Sequence, residues 1–371
     1  MSGEVTVRSA SPRDNDELIA LTRACPMEGD IGLCMDRGPD FFALNALEGE
    51  RWRVGVATTA EGRIVGSVAA TQREVWLDGV RRTIGYAGDL KVHPDFRDRR
   101  HADALQRWCG EAIAEMCGPD VPILVTVLAG NKSMETRTVG PRGLHVMRKI
   151  GTTRAHTVFL LWKRSPPKVS GLTVRRGEER DLAAMAELWT QLGPKRQFAL
   201  TYGDASIPSW IARAPSLSVT DYWLAFAADG RLAGFTGFWD QESFKHMRVT
   251  RYSTSLRRAR VAFNAVAPAL GATKLPAEGD TLRYVTGVNV CVPSERPDVF
   301  RAIVVAAYNA HRSRGYSFMS IPLDQSDRLA AGLEGLMAQP TDINAFVTGP
   351  RGSYEGPDFA PGVFHNEIAL V

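Results

Sequence analysis

The chain states one supersecondary plan twice, and that repetition limits its fold more than any other feature of its 371 residues. Near the start, Val5-Thr-Val-Arg-Ser runs into Asp14-Asn-Asp-Glu-Leu-Ile-Ala-Leu-Thr, a strand followed by a helix with an acidic first turn. After Pro166-Pro167, Leu172-Thr-Val-Arg-Arg leads into Glu178-Glu-Arg-Asp-Leu-Ala-Ala-Met-Ala-Glu-Leu-Trp189. Further on, 53–67 matches 223–235, each reading as a hairpin with Glu61-Gly62 or Asp229-Gly230 at the turn. Val7 and Val174 lie 167 apart, and Gly66 and Gly234 lie 168 apart, so the register holds over this stretch. The diproline segment Arg164-Ser-Pro-Pro-Lys168 is the natural joint, because proline continues neither element. Two units are expected, 1–165 and 166–371. A single core rarely grows to the size of the whole chain.

Composition removes several function classes. With 45 basic and 41 acidic residues the net charge is only +4, which argues against a nucleic-acid partner. No apolar run approaches the ~18 residues that cross a bilayer. The start, Met1-Ser-Gly-Glu-Val-Thr-Val, lacks the basic-then-apolar layout of a signal peptide. Five cysteines without a CxxC pair fit a reduced compartment, so a cytoplasmic location is expected. The scattered cysteines and seven histidines give no metal set.

Within the first unit, strands are expected near 4–9, 52–59, 63–76, 80–92 and 122–128, and helices near 12–24, 39–47 and 100–117. A closing hairpin is expected from 143–149 and 154–163. Leu105, Trp108, Cys109, Ala112, Ile113 and Met116 make an ordinary core stripe on the 100–117 helix. The second unit repeats the order with an extra segment around 243–280. That segment carries Arg257-Arg-Ala-Arg260, a basic face on a solvated helix or a partner site.

The segment from Tyr86 to Ala102 carries the chemistry. It reads as a strand, a proline turn and a basic loop holding Arg97, Asp98, Arg99, Arg100 and His101, opening directly onto a helix. Unpartnered N–H groups and the helix dipole make such a junction an anion site. A solvated basic helix end is the alternative. Gly85 and Gly88 lie inside the apolar strand, where glycine marks a bulge or the close approach of a ligand.

Asp89-Leu-Lys-Val-His-Pro94, the arginine-rich loop, the helix and the order of elements together resemble the GNAT (Gcn5-related N-acetyltransferase) family. The resemblance covers nearly all of 1–165 in element order, but only the loop motif is specific. The family's loop pattern is Arg/Gln-x-x-Gly-x-Gly/Ala. Arg97 and Ala102 match it, while Arg100 stands where glycine is usual. The implied fold is α+β: two tandem GNAT-like domains, each a mixed, mostly antiparallel sheet flanked by helices. The implied activity is acyl transfer from a coenzyme A thioester, acetyl-CoA by default, to a primary amine of a small molecule or peptide. No metal is implied. By resemblance, Leu90, Lys91 and Val92 contact the pantetheine arm in the manner of an added strand, and residues 97–102 hold the diphosphate. Asn131 either reaches the pantetheine or is an ordinary turn or cap residue.

Direct transfer through a tetrahedral intermediate needs a proton acceptor for the amine, a donor for the thiolate and a partner for the oxyanion. Asp89 is the candidate acceptor, with a bulge-capping or ion-paired role as its alternative. The donor falls to Tyr86, Ser133 or water, because 131–138 lacks the tyrosine many family members place there. A backbone N–H near Leu90 serves the oxyanion. Glu28 and Asp30, in the loop 26–36, are candidate acceptor contacts, although three acids in a loop also serve solubility.

The second unit aligns Tyr284-Val-Thr-Gly-Val-Asn-Val-Cys-Val-Pro293 with the cofactor strand at a spacing of 198. No basic glycine-bearing loop follows it. It is expected to have lost cofactor binding and to close the cleft of the first unit. The sequence leaves open a non-catalytic acyl-CoA sensor, an aminoacyl-tRNA-dependent transferase and a homodimer. The Gly-Pro-Arg-Gly runs at 140–143 and 349–352 fall at different points of the plan and are read as coincidence.

Overall fold

The computed structural model describes residues 5–97, 99–131, 134, 146–202 and 206–371. The chain begins with β1 (Thr6–Ser9), α1 (Asn15–Ala24), β2 (Ile31–Asp36), α2 (Asn45–Glu48), β3 (Arg51–Thr58), β4 (Ile64–Leu77) and β5 (Val80–Val92). Then come α3 (Arg99–Cys117), β6 (Ile123–Leu128), β7 (Arg148–Phe159), β8 (Thr173–Arg176), α4 (Leu182–Leu192), β9 (Arg196–Gln197) and β10 (Ala199–Leu200). Next are α5 (Ser206–Arg213), β11 (Tyr222–Phe226), β12 (Leu232–Trp239), β13 (His246–Tyr252), α6 (Thr254–Leu270) and β14 (Tyr284–Cys291). The last elements are α7 (Pro297–His311), β15 (Phe318–Asp324), β16 (Ala338–Thr348) and β17 (Val363–Phe364).

The repeat survives down to single side chains. Arg8 on β1 grips Asp14 with two bonds of 2.8 Å, and Asp14 accepts the backbone N–H of Ser11. Arg175 on β8 grips Asp181 at 2.6 and 2.8 Å, and Asp181 accepts the N–H of Glu178. In each copy a strand arginine fixes the carboxylate that organises the entrance of the next helix. The turn glycines Gly62 and Gly230 take left-handed φ values of 87° and 82°, as their hairpins require.

A 13-stranded sheet runs in the order β1-β3-β4-β5-β6-β16-β7-β15-β14-β12-β11-β8, with β10 set against β4. The order is a near mirror about its centre, and the centre is an exchange. Strand β7, from the first half, pairs with β15 of the second. Strand β16, from the second half, pairs with β6 of the first, from Ile343↔Leu128 to Thr348↔Ile123. The two exchanged strands also pair with each other over the length of β7. One core lies between β4, β5 and α3, and its counterpart packs α7 on β12, β14 and β15. A third, holding Trp189, Trp210 and Trp239, fills the space between the halves.

Several expectations change. The closing hairpin at 143–149 and 154–163 gives way to β7, one strand of 12 residues, because the pairing it needs comes from β16. The loop 26–36 contains β2, which forms a two-stranded sheet with β13 of the extra segment. The helix near 39–47 shortens to the four residues of α2. The extra segment is β13 followed by the largely exposed α6, where Arg257 pairs with Glu278 at 2.9 Å. The run 140–143 lies outside the described residues.

Candidate active site

Strand β5 turns away from its neighbour at one residue. Its parallel ladder with β6 consists of Gly85↔Ile123, Tyr86↔Leu124 and Ala87↔Val125. On its other side the register with β4 slips between Ala69↔Gly88 and Ser67↔Lys91, so β5 holds one extra residue there. Asp89 sits in that bulge at φ +54°, a left-handed conformation that aspartate tolerates better than most residues. Beyond the bulge the gap between β5 and β6 opens into a cavity of about 200 Å³. Its walls include Val68, Gly88, Leu90, Val125 and Thr126, with Gln106, Cys109 and Gly110 of α3 along one side. Met147 and Thr348, beside and on the exchanged strands, close it. Thr348 is buried, and its hydroxyl has no partner among the described residues.

The two strand glycines have packing reasons. A Cβ on Gly85 would stand 2.4 Å from Ile113, and one on Gly88 would stand 2.8 Å from the ring of Tyr86. Gly85 makes room for α3; Gly88 makes room for Tyr86 and also lines the cavity.

Behind the bulge lies a buried cluster of charges. The carboxylate of Asp89 accepts from Arg37 Nη1 at 2.5 Å through Oδ2 and from Lys91 Nζ at 2.5 Å through Oδ1. Burial would raise its pKa, but Lys91 and Arg37 hold it well below the usual carboxylate range. With both oxygens engaged, Asp89 is a fixed counter-charge and a poor proton acceptor. Arg37 also donates to Phe41 O at 2.8 Å and to Asn45 Oδ1 at 3.1 Å, which ties the cluster to α2.

Glu48, at the end of α2, is buried more deeply than the partly exposed Asp89. It accepts from Thr71 Oγ1 at 2.8 Å and lies 3.7 Å from Arg73. Burial pushes its pKa up, and Arg73 offsets only part of that. The guanidinium of Arg73 stacks over the Tyr86 ring, 3.4 Å from its centroid. The Tyr86 hydroxyl shares a 3.1 Å hydrogen bond with Thr126 Oγ1, and burial moves the phenol up to about 12.

Lys245, from the second half, completes the cluster. It is buried and donates to Ala369 O at 3.3 Å and to Val371 O at 2.5 Å. Burial, reinforced by Arg37, depresses its pKa to about 7, against the pull of Asp89 and Glu48.

The expected site residues separate into groups. Leu90 and Asn131 line the cavity, and Asn131 Oδ1 also accepts the Met134 N–H at 3.3 Å in the manner of a cap. Lys91 and Val92 continue the bulged strand, Lys91 turning to Asp89. Arg97 and Arg100 are exposed at the start of α3. Arg100 lies inside the helix and not in a left-handed turn, so the absence of glycine there brings no strain. His101 and Ala102 face inward; the His101 ring is 2.8 Å from Phe96 O and braces the loop. Asp98, Ser133 and the side chain of Arg99 lie outside the described residues.

Glu28 and Asp30 do not line the cavity. Glu28 meets Arg251 of β13 at 3.5 Å on the surface, and Asp30 is exposed. Arg37, Glu48, Arg73 and Lys245 were not singled out from the sequence. Each comes from a different element, and no spacing signals their meeting. Each stands among other charged and polar residues, so nothing local marks it as buried.

The second half has the same bulge. Asn289 sits at φ +50°, with the register slip between Phe235↔Cys291 and Gly237↔Val288. Matching Asp89 to Asn289 gives a spacing of 200, which corrects the 198 expected for this strand. Here the space is taken by the chain itself. Glu367 accepts the Asn289 N–H at 3.0 Å, Tyr222 donates to Asn289 Oδ1 at 2.5 Å, and Asn289 Nδ2 bonds Tyr202.

Comparison with solved structures places the chain in a known fold. N-myristoyltransferase of Saccharomyces cerevisiae, solved with bound myristoyl-CoA, superposes at a TM-score of 0.61 over 92% of this chain and 82% of its own, at 12% identity. A GCN5-related N-acetyltransferase from Sphaerobacter thermophilus gives 0.57 at 15% identity, covering 94% and 96% of the two chains. One from Anabaena variabilis gives 0.53 at 12%, covering 94% and 73%. The fold is therefore the tandem GNAT fold, with a large, mostly antiparallel sheet flanked by helices. No family model and no curated sequence matches the chain. Among the described residues no helix is long and apolar enough to cross a membrane, and no cluster of His, Cys, Asp and Glu is arranged to hold a metal ion.

Proposed function

We propose that the chain is an acyl-CoA-dependent N-acyltransferase acting on a primary amine of a small molecule or peptide. One observation carries this reading: β5 bulges at Asp89 and leaves β6 over a cavity that runs beside α3. The cavity is mostly apolar, and the buried hydroxyl of Thr348 offers it a hydrogen bond without another use. Bound there, a thioester of coenzyme A supplies the activated acyl group. Strand residues 88–92 would flank its pantetheine arm, and the exposed Arg97 and Arg100 would meet its diphosphate at the helix start. The small cavity favours a short acyl group, and acetyl is the default.

In this reading the charged cluster divides the labour. Glu48, with its raised pKa, takes the proton from the amine. Asp89 stays ionised and balances Arg37 and Lys91. Tyr86 lies behind the cavity wall and would relay a proton through the Thr126 hydroxyl to the leaving thiolate. The phenol is restored by the proton that Glu48 has taken from the amine and given up to solvent.

The engaged state of Asp89 also favours a second reading, an acyl-CoA sensor without turnover. Titration calorimetry with acetyl-CoA and with myristoyl-CoA tests the shared step: absence of micromolar binding to either rejects both readings. If binding is seen, thiol release against a panel of amines decides between catalyst and sensor.

A further inference from the structure

The cavity between β5 and β6 continues past the bulge, and the second half of the chain helps to build its far end. Packing fixes the levels along it. Cys109 Sγ lies 3.6 Å from Ala69 O, and Ala69 pairs with Gly88, so Cys109 stands level with the bulge. Ile113, one turn further along α3, lies where a Cβ on Gly85 would stand 2.4 Å from it, and Gly85 pairs with Ile123. With the cofactor diphosphate at the start of α3, the thioester comes level with Gly88 and Asp89. Gly110, Ile123 and Thr348 also line the cavity, and they lie beyond that level. Met147 joins them there, next to Arg148, which pairs with Val347.

Thr348 is the polar side chain at this far end. It is 3% exposed, and its hydroxyl has no hydrogen-bond partner among the described residues. The ladder sets its direction. Thr348 pairs with Ile123 and Phe346 with Val125, and opposite residues of an antiparallel pair share one face of the sheet. Ile123, Val125 and Phe346 all belong to the core under α3, so the Thr348 side chain stands on that face, beside Ile123 in the cavity lining. The chain just after it closes against α3, where a Cβ on Gly110 would stand 2.8 Å from Pro350 O. The other hydroxyl of the lining, on Thr126, is already bonded to Tyr86. Among walls as apolar as Ile123, Val125 and Met147, a hydroxyl without a partner is unfavourable until a ligand supplies one.

We infer that the far end is an acyl-chain subsite in which Thr348 hydrogen-bonds an oxygen carried on the chain. The donor is then a thioester of a short hydroxy- or oxo-acyl group. Three residues of strand separate the levels of Gly88 and Gly85, a rise of about 10 Å. A hydrogen bond takes up about 3 Å of it, and roughly five or six carbon–carbon bonds span the rest. An acetyl group would end near the bulge and leave Thr348 without a partner. The inference rests on the acyl-CoA reading of this cavity and moves its acyl group beyond the acetyl default.

The test is titration calorimetry on the full chain with acetyl-CoA, hexanoyl-CoA and 6-hydroxyhexanoyl-CoA. The hydroxylated donor is expected to bind about fivefold more tightly than hexanoyl-CoA, the yield of one buried hydrogen bond. Thr348→Val keeps the shape and removes the hydroxyl, so it should abolish that preference, whereas Thr348→Ser should retain it. Urea unfolding checks both variants; the valine variant should be at least as stable as the native chain, because it loses an unpaired buried group. Equal affinity of the native chain for the two six-carbon donors overturns the inference without recourse to any variant. A preference that survives in Thr348→Val overturns it as well. So do six-carbon donors that bind tenfold more weakly than acetyl-CoA, because the far end is then closed to acyl chains. Each of these results leaves acyl-CoA binding standing. If none of the three donors binds, the acyl-CoA reading itself falls, and the inference with it.

Discussion

Asp89 and Asn289 occupy the same point of two bulged strands, 200 residues apart, at φ values of +54° and +50°. The backbone plan has been kept in both copies while the side chains have diverged. Asp89 faces Arg37 and Lys91 beside a cavity. Asn289 is locked between Tyr202, Tyr222 and Glu367, in space the chain has filled. One bulge borders open space and the other anchors the junction of the halves.

The bulge makes Asp89 a backbone residue as well as a charged one. Asp89→Asn retains tolerance for the left-handed conformation but loses the ion pairs, whereas Asp89→Ala loses both. Denaturant unfolding should find the alanine variant less stable than the asparagine variant by about 1 kcal/mol. Equal stabilities would remove the strain from the account.

Glu48 is the carboxylate whose burial moves its pKa toward neutrality. As a base it works only when deprotonated, so turnover should rise with pH through a value above the ordinary ~4.3 of glutamate. Glu48→Gln should cut kcat by about 10²–10⁴ and remove that acid limb. If the variant keeps the full rate, the proton goes elsewhere.

Filling the cavity should separate binding from folding. Val125 lines it, and Val125→Phe adds a ring to space that is already empty. The stability change should stay under about 2 kcal/mol, below the upper range for overpacking a dense core. Acetyl-CoA affinity, read by calorimetry, should fall at least tenfold. Undiminished affinity would put the cofactor elsewhere.

Lys245 predicts a pH effect on stability. Its folded pKa, near 7, lies below the ~10.4 of an unfolded lysine, so between these values the unfolded chain holds the extra proton. Stability should therefore rise with pH across that window, by an amount on the order of 4 kcal/mol from this group. Lys245→Met should flatten the rise relative to the native chain, as measured by urea unfolding at pH 7 and pH 9.5. Matching slopes for the two proteins would mean that Lys245 stays charged in the fold, close to Arg37, Asp89, Glu48 and Lys91.

The strand exchange makes the halves mutually dependent. Fragment 1–165 lacks β16 and fragment 166–371 lacks β7, so each exposes a long sheet edge at its centre. Each fragment alone should be insoluble or unfolded by circular dichroism, whereas co-expression should recover soluble complex. Independent, monomeric folding of either fragment would contradict this.

Local features were legible in the sequence, and meetings between distant elements were not. The repeat, the Gly62 and Gly230 turns and the bulge region near Gly88 depend on neighbouring residues and could be read directly. The hairpin expected at 143–163 failed because a strand's partner is a tertiary matter: β7 has a strand's pattern whether it folds back or crosses over. Glu28 and Asp30 were placed by composition, and β13, which covers β2, lies more than two hundred residues away in sequence. Glu48 and Lys245 show the same limit. Each is one charged residue among polar and charged neighbours, and only the tertiary fold shows which of them is buried.

The exchange also has a history in time during synthesis. Strand β6, Ile-Leu-Val-Thr-Val-Leu, is uncharged and rich in β-branched residues, the composition of a segment that self-associates. Its partner on that side is β16, whose pairing with it begins at Ile343, 215 residues beyond Leu128. At roughly 5–20 residues per second, that edge waits on the order of 10–40 s for its partner after leaving the ribosome. The nascent chain thus carries an adhesive, unfinished sheet through most of its translation, and its yield in cells should depend on elongation speed and on chaperones that shield β6 until β16 arrives.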